Sequence, residues 1–565
     1  MTSSTTRATP AATPICPPVS LRRRNVIFVA IVLGMLVAAL AITTAVTALP
    51  TIVADLGGAN HRSWVVTSHL LGVTSSIPLA GKFGDLFGRK QVFLAATAFL
   101  IAGSVLCGLS QSMSMLVICR ALQGVSVGAI SVTASALVGD IAPPRYRGRY
   151  QGILGAVFGA AMVTAPLVGG LFTDHVNWRW AFWINVPISL VILLLAAAAI
   201  PKFAQRPKPV IDYLGMLLVM LGATALTMAT SWGGATYAWG SLIIVGLFVG
   251  SAVVLGAFLW VEGRVAAPIL PIRLFRNPTF SLCCLLAFGV GFAMLGALTL
   301  VPTYLGYVHG ASPTASGLRM LPMVIGMLLT ATGGGALIGR VGRYKIFPVV
   351  GTALTAAAFG LMSYMDESTP ALLQSLYLFI LGAGVGLSIQ LLILIVQDTT
   401  HVEDLGVATS GVTFFRAIGS AFGTALLGAL LANFLGRRLG PVLASTGTSF
   451  ETAHSPAALH RLPHHLTAPI VRAYCESLTQ VFVCAGLVAT LGFILAVFLP
   501  EVPHPPARAD AKAPDTPSVR GLLRLLALTS ASPAAGSGRR TRPPTPGPGP
   551  RRLPYPCPPD RSSRR

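Results

Sequence analysis

Arg120 and Gln123 stand one helical turn apart inside a long apolar run, in Cys119-Arg120-Ala121-Leu122-Gln123-Gly124. An arginine surrounded by hydrocarbon is costly, so it faces a polar interior or a partner, or it snorkels to an interface from near the end of its span. His69 is the only histidine well inside such a run. An imidazole with an ordinary pKa near ~6.5 has the chemistry of a proton carrier; the plainer reading is a histidine hydrogen-bonded within a bundle and never titrating. No aspartate or glutamate falls at the middle of an apolar run: Asp55, Asp140, Asp174, Asp212, Glu262 and Asp398 all lie near the ends. A proton carrier in these spans would therefore be a peripheral carboxylate such as Asp55, with or without His69.

A second constellation joins two apolar runs: Gly81-Lys82-Phe83-Gly84-Asp85-Leu86-Phe87-Gly88-Arg89-Lys90. It reads as a tight turn. Glycines allow close helix approach, Asp85 can sit near a helix N-terminus or pair with an arginine, and Lys82, Arg89 and Lys90 hold the cytoplasmic side. A weaker echo, Gly339-Arg340-Val341-Gly342-Arg343-Tyr344-Lys345, occupies the equivalent place later in the chain and indicates an internal repeat.

The elements that position these residues are membrane spans. Apolar residues make up 54% of the chain and charged residues 10%, with a mean hydropathy of +0.74, a balance foreign to soluble domains of this length. Runs near the length a bilayer demands number about fourteen, at roughly 26–49, 63–79, 92–109, 116–138, 153–172, 181–200, 213–232, 241–261, 280–305, 316–338, 346–364, 371–396, 407–434 and 477–499. Arg22, Arg23 and Arg24 resemble the start of a signal peptide, but the run behind them is too long for one and stays as the first span. The expected fold is all-α and integral to the membrane: a cytoplasmic segment 1–25, a six-helix bundle 26–200, a linker 201–278 with two extra spans, a pseudo-symmetric second six-helix bundle 279–500 with an outer loop at about 436–475, and a basic, Pro-rich, disordered cytoplasmic tail 501–565. Within that tail, 519–528 has the makings of a short amphipathic surface helix.

With the N-terminus inside, the basic clusters at Lys82/Arg89/Lys90, Arg145/Arg147/Arg149, Lys202/Arg206/Lys208, Arg264/Arg273/Arg276 and Arg340/Arg343/Lys345 all fall on the cytoplasmic side, and an even number of spans returns the C-terminus there. The +23 net charge thus reads as topology signal and contact with anionic lipid; no aromatic-interleaved patch suggests nucleic acid. Of eight cysteines, most lie in apolar runs and none forms a CxxC pair, which disfavours disulfides and structural zinc. No GxxxxGK[ST] loop argues for ATP, and no cluster of His, Cys or acidic residues argues for an enzyme, a metal or a cofactor.

The Gly81 to Lys90 string resembles the signature between the second and third helices of the major facilitator superfamily. Further strings resemble its fourteen-helix drug:proton antiporter branch: Thr47-Ala48-Leu49-Pro50-Thr51-Ile52, Trp64-Val65-Val66-Thr67, Arg120-Ala121-Leu122-Gln123-Gly124, the fifth run with Gly155, Gly159, Ala165-Pro166 and Gly169-Gly170, Trp178-Arg179-Trp180-Ala181-Phe182-Trp183-Ile184-Asn185-Val186-Pro187, and in the second half Ala408-Thr409-Ser410 and Phe414-Phe415-Arg416. The resemblance covers roughly 26–499. It implies a proton relay containing Arg120 and Gln123, a conformational-switch loop of Gly81, Gly84, Asp85, Gly88, Arg89 and Lys90, and a gating helix whose small residues permit close packing around Pro166. Many members carry an acidic residue in the first helix where this chain has Ala41, and a glycine where it has Ala165.

The implied function is secondary active export of a hydrophobic or amphiphilic drug or antibiotic in exchange for protons, from a multi-pass protein of a bacterial cell membrane. The heavy use of Ala, Gly, Pro and Arg matches high-GC bacteria. An apolar, aromatic cavity is expected, with Phe158, Trp183, Phe415 and Arg416 as candidate lining residues. Import of a small organic solute, or drug sensing without transport, are the alternatives.

Overall fold

The computed structural model describes residues 20–57, 61–201 and 212–501, except 235, 266–267, 342 and 447–455. Helices are its regular elements: α1 (Leu21–Leu56), α2 (Arg62–Phe87), α3 (Arg89–Gly108), α4 (Met113–Ile141), α5 (Pro144–His175), α6 (Trp180–Trp183), α7 (Asn185–Ala199), α8 (Tyr213–Trp232), α9 (Leu242–Glu262), α10 (Ile272–Phe275), α11 (Pro278–His309), α12 (Pro313–Arg319), α13 (Leu321–Val341), α14 (Ile346–Met362), α15 (Ala371–Ile389), α16 (Leu391–Thr399), α17 (Leu405–Thr446), α18 (Pro456–Leu459) and α19 (His464–Val497). Side-chain caps start several of them. Ser112 accepts from Met115 N at 3.2 Å before α4, and Asn277 accepts from Thr279 N at 3.0 Å before α11, where Pro278 fills the first helical position.

Among the described residues, 11 helical stretches are long and apolar enough to cross a membrane. α2, α5 and α14 stand between them in the positions the sequence reading assigns to further spans. The protein is an all-α, multi-pass membrane protein. The 436–475 connection, expected as an outer loop, is helical at both ends: α17 continues through Gly436 to Thr446 and α19 begins at His464. Leu435 and Leu439 are buried there, and Arg438 pairs with Glu476 at 3.3 Å, so apolar contacts and an ion pair extend both helices. The segment at 519–528 lies outside the described residues.

Neighbour relations repeat along the chain. α1 packs on α5 and α7, α2 on α4, and α3 on α4 and α7. In the same pattern α11 packs on α17 and α19, α13 on α15, and α14 on α15 and α19. The two sets meet through α5 against α13 and α2 against α17. α8 and α9 pack on each other, and α8 touches α2 and α17. α9 leaves Leu242, Val249, Val253 and Trp260 exposed, as suits a helix facing lipid.

Small residues set how closely these helices approach. A Cβ on Gly124 would strike the backbone of His69, and one on Gly419 the backbone of Phe288, so α2/α4 and α11/α17 lie backbone against backbone.

Candidate functional site

Arg120 is fully buried on α4 and binds three neighbours. Its Nε donates to Val65 O on α2 at 3.2 Å, and its Nη1 to Ala41 O on α1 at 2.8 Å and to Gln123 Oε1 at 2.6 Å. Gln123 passes the network on, donating to Ser104 Oγ on α3 at 2.9 Å. Phe182 packs with its ring centroid 5.9 Å from the guanidinium carbon. Arg120 and Gln123 together thus tie four helices, and the oxygens they bind are all neutral. A buried charge solvated by peptide and amide dipoles alone is an expensive arrangement, and Arg120 Nη2 has no partner at all. His69 lies beside this network on α2, buried, with neither ring nitrogen hydrogen-bonded.

The structure joins Arg120, Gln123 and His69 but not Asp55. Asp55 lies about 20 Å further along α1 from Ala41. There its Oδ2 accepts from Trp178 Nε1 and from Arg179 Nη1, each at 2.9 Å, while Arg179 stacks 4.4 Å over the Trp178 ring. Hydrogen bonds from Trp178 and then Arg179 hold the Asp55 carboxyl below its ordinary pKa. Asp55 is a clamp between the end of α1 and the segment before α6.

The Gly81 to Lys90 segment is helical to Phe87, and the expected loop shrinks to a break at Gly88. Its φ of +94° is a conformation that glycine alone adopts cheaply. Arg89, the first residue of α3, donates to Asp85 Oδ1 at 3.0 Å and also ion-pairs with Asp140 at the end of α4. Asp85 turns its carboxylate to the next set of helices as well, accepting from Gly406 N at 3.2 Å and Val407 N at 2.9 Å in the first turn of α17. That carboxylate satisfies open amides at the positive end of a helix dipole. Lys90 caps the end of α7 by donating to Ala197 O and Ile200 O. A Cβ on Gly81 would strike Ser410, so α2 and α17 touch here.

Pairings that the sequence did not give, and two glutamines not singled out there, complete this end. Arg147 at the start of α5 pairs with Asp398 Oδ1 at 2.9 Å, and Tyr344 hydrogen-bonds the other Asp398 oxygen. Tyr344 belongs to the echo string, and its bond to the end of α16 repeats the bond of Arg89 to the end of α4. Gln151 donates to Gln397 Oε1 at 3.1 Å, and both glutamines donate to Ser135 O. The signal was present in the sequence: Gln151 and Gln397 are amides within or bordering apolar runs.

α5 runs against α13 with little between them. A Cβ on Gly148 would strike Gly335 O and one on Gly152 would strike Ala331 O, whereas Gly155 and Gly159 face the side chains of Gln390 and Met327. Ala165 and Gly169 are buried further along the same helix, which continues through Pro166 and Gly170. Of the candidate lining residues, Phe158 and Arg416 meet: the Arg416 guanidinium carbon stands 5.7 Å from the Phe158 ring centroid, joining α5 to α17. Phe415 packs on Phe275 at 6.1 Å. Trp183 sits elsewhere, against Gly108 of α3 and 5.6 Å from the Trp180 ring, and does not join the Phe158–Arg416 pair.

The sequence pattern of the Major Facilitator Superfamily matches residues 31–424. The chain belongs to that superfamily. An uncharacterized MFS-type transporter of Mycobacterium tuberculosis is 63% identical over 501 residues, covering 89% of this chain and 72% of the relative. The multidrug transporter protein MdtP of Bacillus subtilis is 33% identical, covering 88% of this chain and 98% of the relative. The human organic anion transporter MFSD10 superposes with a TM-score of 0.57 at 16% identity, covering 85% and 100% of the two chains, a likeness of fold. This superfamily member is a membrane transporter of small molecules and not an enzyme.

Proposed function

We propose that this transporter is a secondary active exporter of a hydrophobic or amphiphilic drug or antibiotic, working by alternating access in exchange for protons. In this reading it has fourteen spans, two pseudo-symmetric six-helix bundles with α8 and α9 between them, and both termini in the cytoplasm. The observation that carries the reading is the seal at one end: Asp85 on α17, Arg147 on Asp398, Gln151 on Gln397, and α5 backbone against α13. Polar bonds over a glycine contact make a door that closes firmly and reopens, because breaking it exposes groups that water solvates. In this reading the basic residues mark this end as the cytoplasmic one, and the seal closes the transporter to the cytoplasm. The name of the Bacillus relative, a multidrug transporter, supports drug export.

Arg120, with Gln123 and His69 beside it, is the proposed proton relay. A group that competes for the guanidinium releases α1 and α2 from α4, and α4 runs as one rod of about 30 Å to Asp140 in the seal. Arg416 over Phe158 is the proposed polar handle of the cavity between the bundles, with Phe415 nearby.

The test is accumulation of a fluorescent amphiphilic dye and an antibiotic panel in efflux-deficient bacteria expressing the chain, with and without a protonophore. Lower accumulation abolished by the protonophore is the expected result. Higher accumulation overturns export in favour of uptake, and accumulation indifferent to the protonophore overturns proton coupling.

A further inference from the structure

Two buried carboxylates meet where α8 begins and α9 ends, outside every network described above. Asp212 caps α8, its Oδ1 accepting from Gly215 N at 2.9 Å. Glu262, the last residue of α9, accepts from Ile269 N at 3.0 Å and from Leu270 N at 3.2 Å, one bond on each oxygen. Both acids border the same point above Gly215: a Cβ there would touch Asp212 Oδ2 and lie 3.2 Å from Glu262 Oε1. Asp212 is 7% exposed and Glu262 3%, and Asp212 Oδ2 has no hydrogen-bond partner.

Two adjacent buried carboxylates do not both stay charged, and a buried carboxylate oxygen without a donor is itself unfavourable. One proton on the pair leaves a single charge, which the amides of Gly215, Ile269 and Leu270 solvate, and lowers the cost of the orphan oxygen. No group of three metal-ligating side chains occurs among the described residues, and two acids alone suit a proton better than a metal ion.

We propose that Asp212 and Glu262 form a proton-binding site at the foot of the α8–α9 pair. The charged neighbour is Lys82 of α2, whose Nζ donates at 2.6 Å to Pro268 O, directly before the two amides that Glu262 holds. Arg264 in the same connection stacks on Trp260, and Arg273 pairs with Asp404. α17, which also packs on α8, carries its first charge at Arg416, about three helical turns from its start. Residues 268–270 therefore link the acid pair to the switch segment that contains Lys82: Pro268 O accepts from Lys82, and Ile269 N and Leu270 N donate to Glu262. Loss of the proton puts two negative charges beside that link.

The site is independent of what the transporter carries, and its test needs no substrate. The purified full-length protein in lipid nanodiscs is examined by pH-difference infrared spectroscopy, as wild type, Asp212→Asn and Glu262→Gln. A protonated-carboxyl band that disappears on raising the pH, and is missing from both variants, is the expected result; a band unchanged in both variants, or none in the wild type, overturns the proposal. Where one variant fails to fold, the other decides. The melting temperature gives a second readout. A folded state that keeps a proton the unfolded chain has lost is destabilised as pH rises, so the wild type falls by about 2–4 °C relative to either variant on the alkaline side. A constant offset across pH overturns the proposal.

Discussion

Asp85 reaches from the end of α2 to the start of α17, where its carboxylate accepts from Val407 N at 2.9 Å. A residue of the signature segment is thus the N-terminal cap of a helix from the other half of the chain. The same carboxylate binds Arg89, so the seal between α2 and α17 and the join between α2 and α3 depend on one side chain.

Asp85→Asn keeps one acceptor but removes the charge that faces both the α17 amides and Arg89. The loss is about 1–2 kcal/mol of seal, a factor of about 5–30 in the balance between closed and open states at this end. Spin labels on the ends of α2 and α17 are expected to show a longer distance population in the variant. Unchanged distances would contradict the assignment of Asp85 to the door.

Arg147→Gln removes one charged partner from the largely buried Asp398 carboxylate. Breaking such a pair from one side costs about 3 kcal/mol, near the lower end for buried pairs, because both partners keep some contact with solvent. Adding Asp398→Asn removes the negative charge that Arg147 balanced. The double variant is expected to melt closer to the wild type than Arg147→Gln does, and a double variant less stable than both single variants would refute the pairing.

Gly152 and Gly159 lie on the same helix and predict different outcomes. A methyl at Gly152 meets the Ala331 backbone, which cannot move aside, so Gly152→Ala is expected to cost about 1–3 kcal/mol of closed state and to lower transport. A methyl at Gly159 meets the Met327 thioether, a flexible side chain that shifts readily. Transport assays on the two alanine variants, matched for expression, separate backbone contact from side-chain contact.

This contrast shows what was legible in the sequence. Gly155 and Gly159 were readable because small residues at helical spacing mark a packed face, and Arg120 was readable because charge in an apolar run demands a reason. Gly148 and Gly152 were hidden because nothing in their neighbourhood names α13 as the opposing helix. Asp55 looked like the free carboxylate that Arg120 needed, since sequence gives polarity and depth but not partners. Its partner Trp178-Arg179 lies more than a hundred positions away. The 11 long apolar helical stretches followed from apolar length alone, whereas the helical ends of the 436–475 connection depended on packing and on Arg438 meeting Glu476, contacts that local composition does not encode.

The Asp55 carboxyl is held below its ordinary pKa by Trp178 and Arg179. Its contribution to the clamp is fully present above the ordinary carboxylate value of ~3.9 and is lost only as pH falls through the lower folded value. Asp55 therefore stays ionised from about pH 5 to pH 8, and Asp55→Asn is expected to lower transport without altering the shape of its pH profile in that range. A shifted midpoint in the variant would return Asp55 to the relay.

Arg120 offers the sharpest separation of stability from function. Its charge is buried against neutral oxygens only, and the carbonyls of Ala41 and Val65 already belong to helices whose own ladders use them. Replacing such a charge by an apolar side chain of similar length removes its desolvation penalty, so Arg120→Met is expected to melt within a few degrees of the wild type or above it. Proton-linked transport is expected to fall at least tenfold, because no other charged group joins α1, α2 and α4 at this point. Arg120→Lys keeps the charge without the guanidinium fork that reaches Ala41, Val65 and Gln123 together, and is expected to recover only part of the activity. A stable Arg120→Met protein with wild-type, protonophore-sensitive transport would remove Arg120 from the relay and leave it as a packing residue of the first four helices.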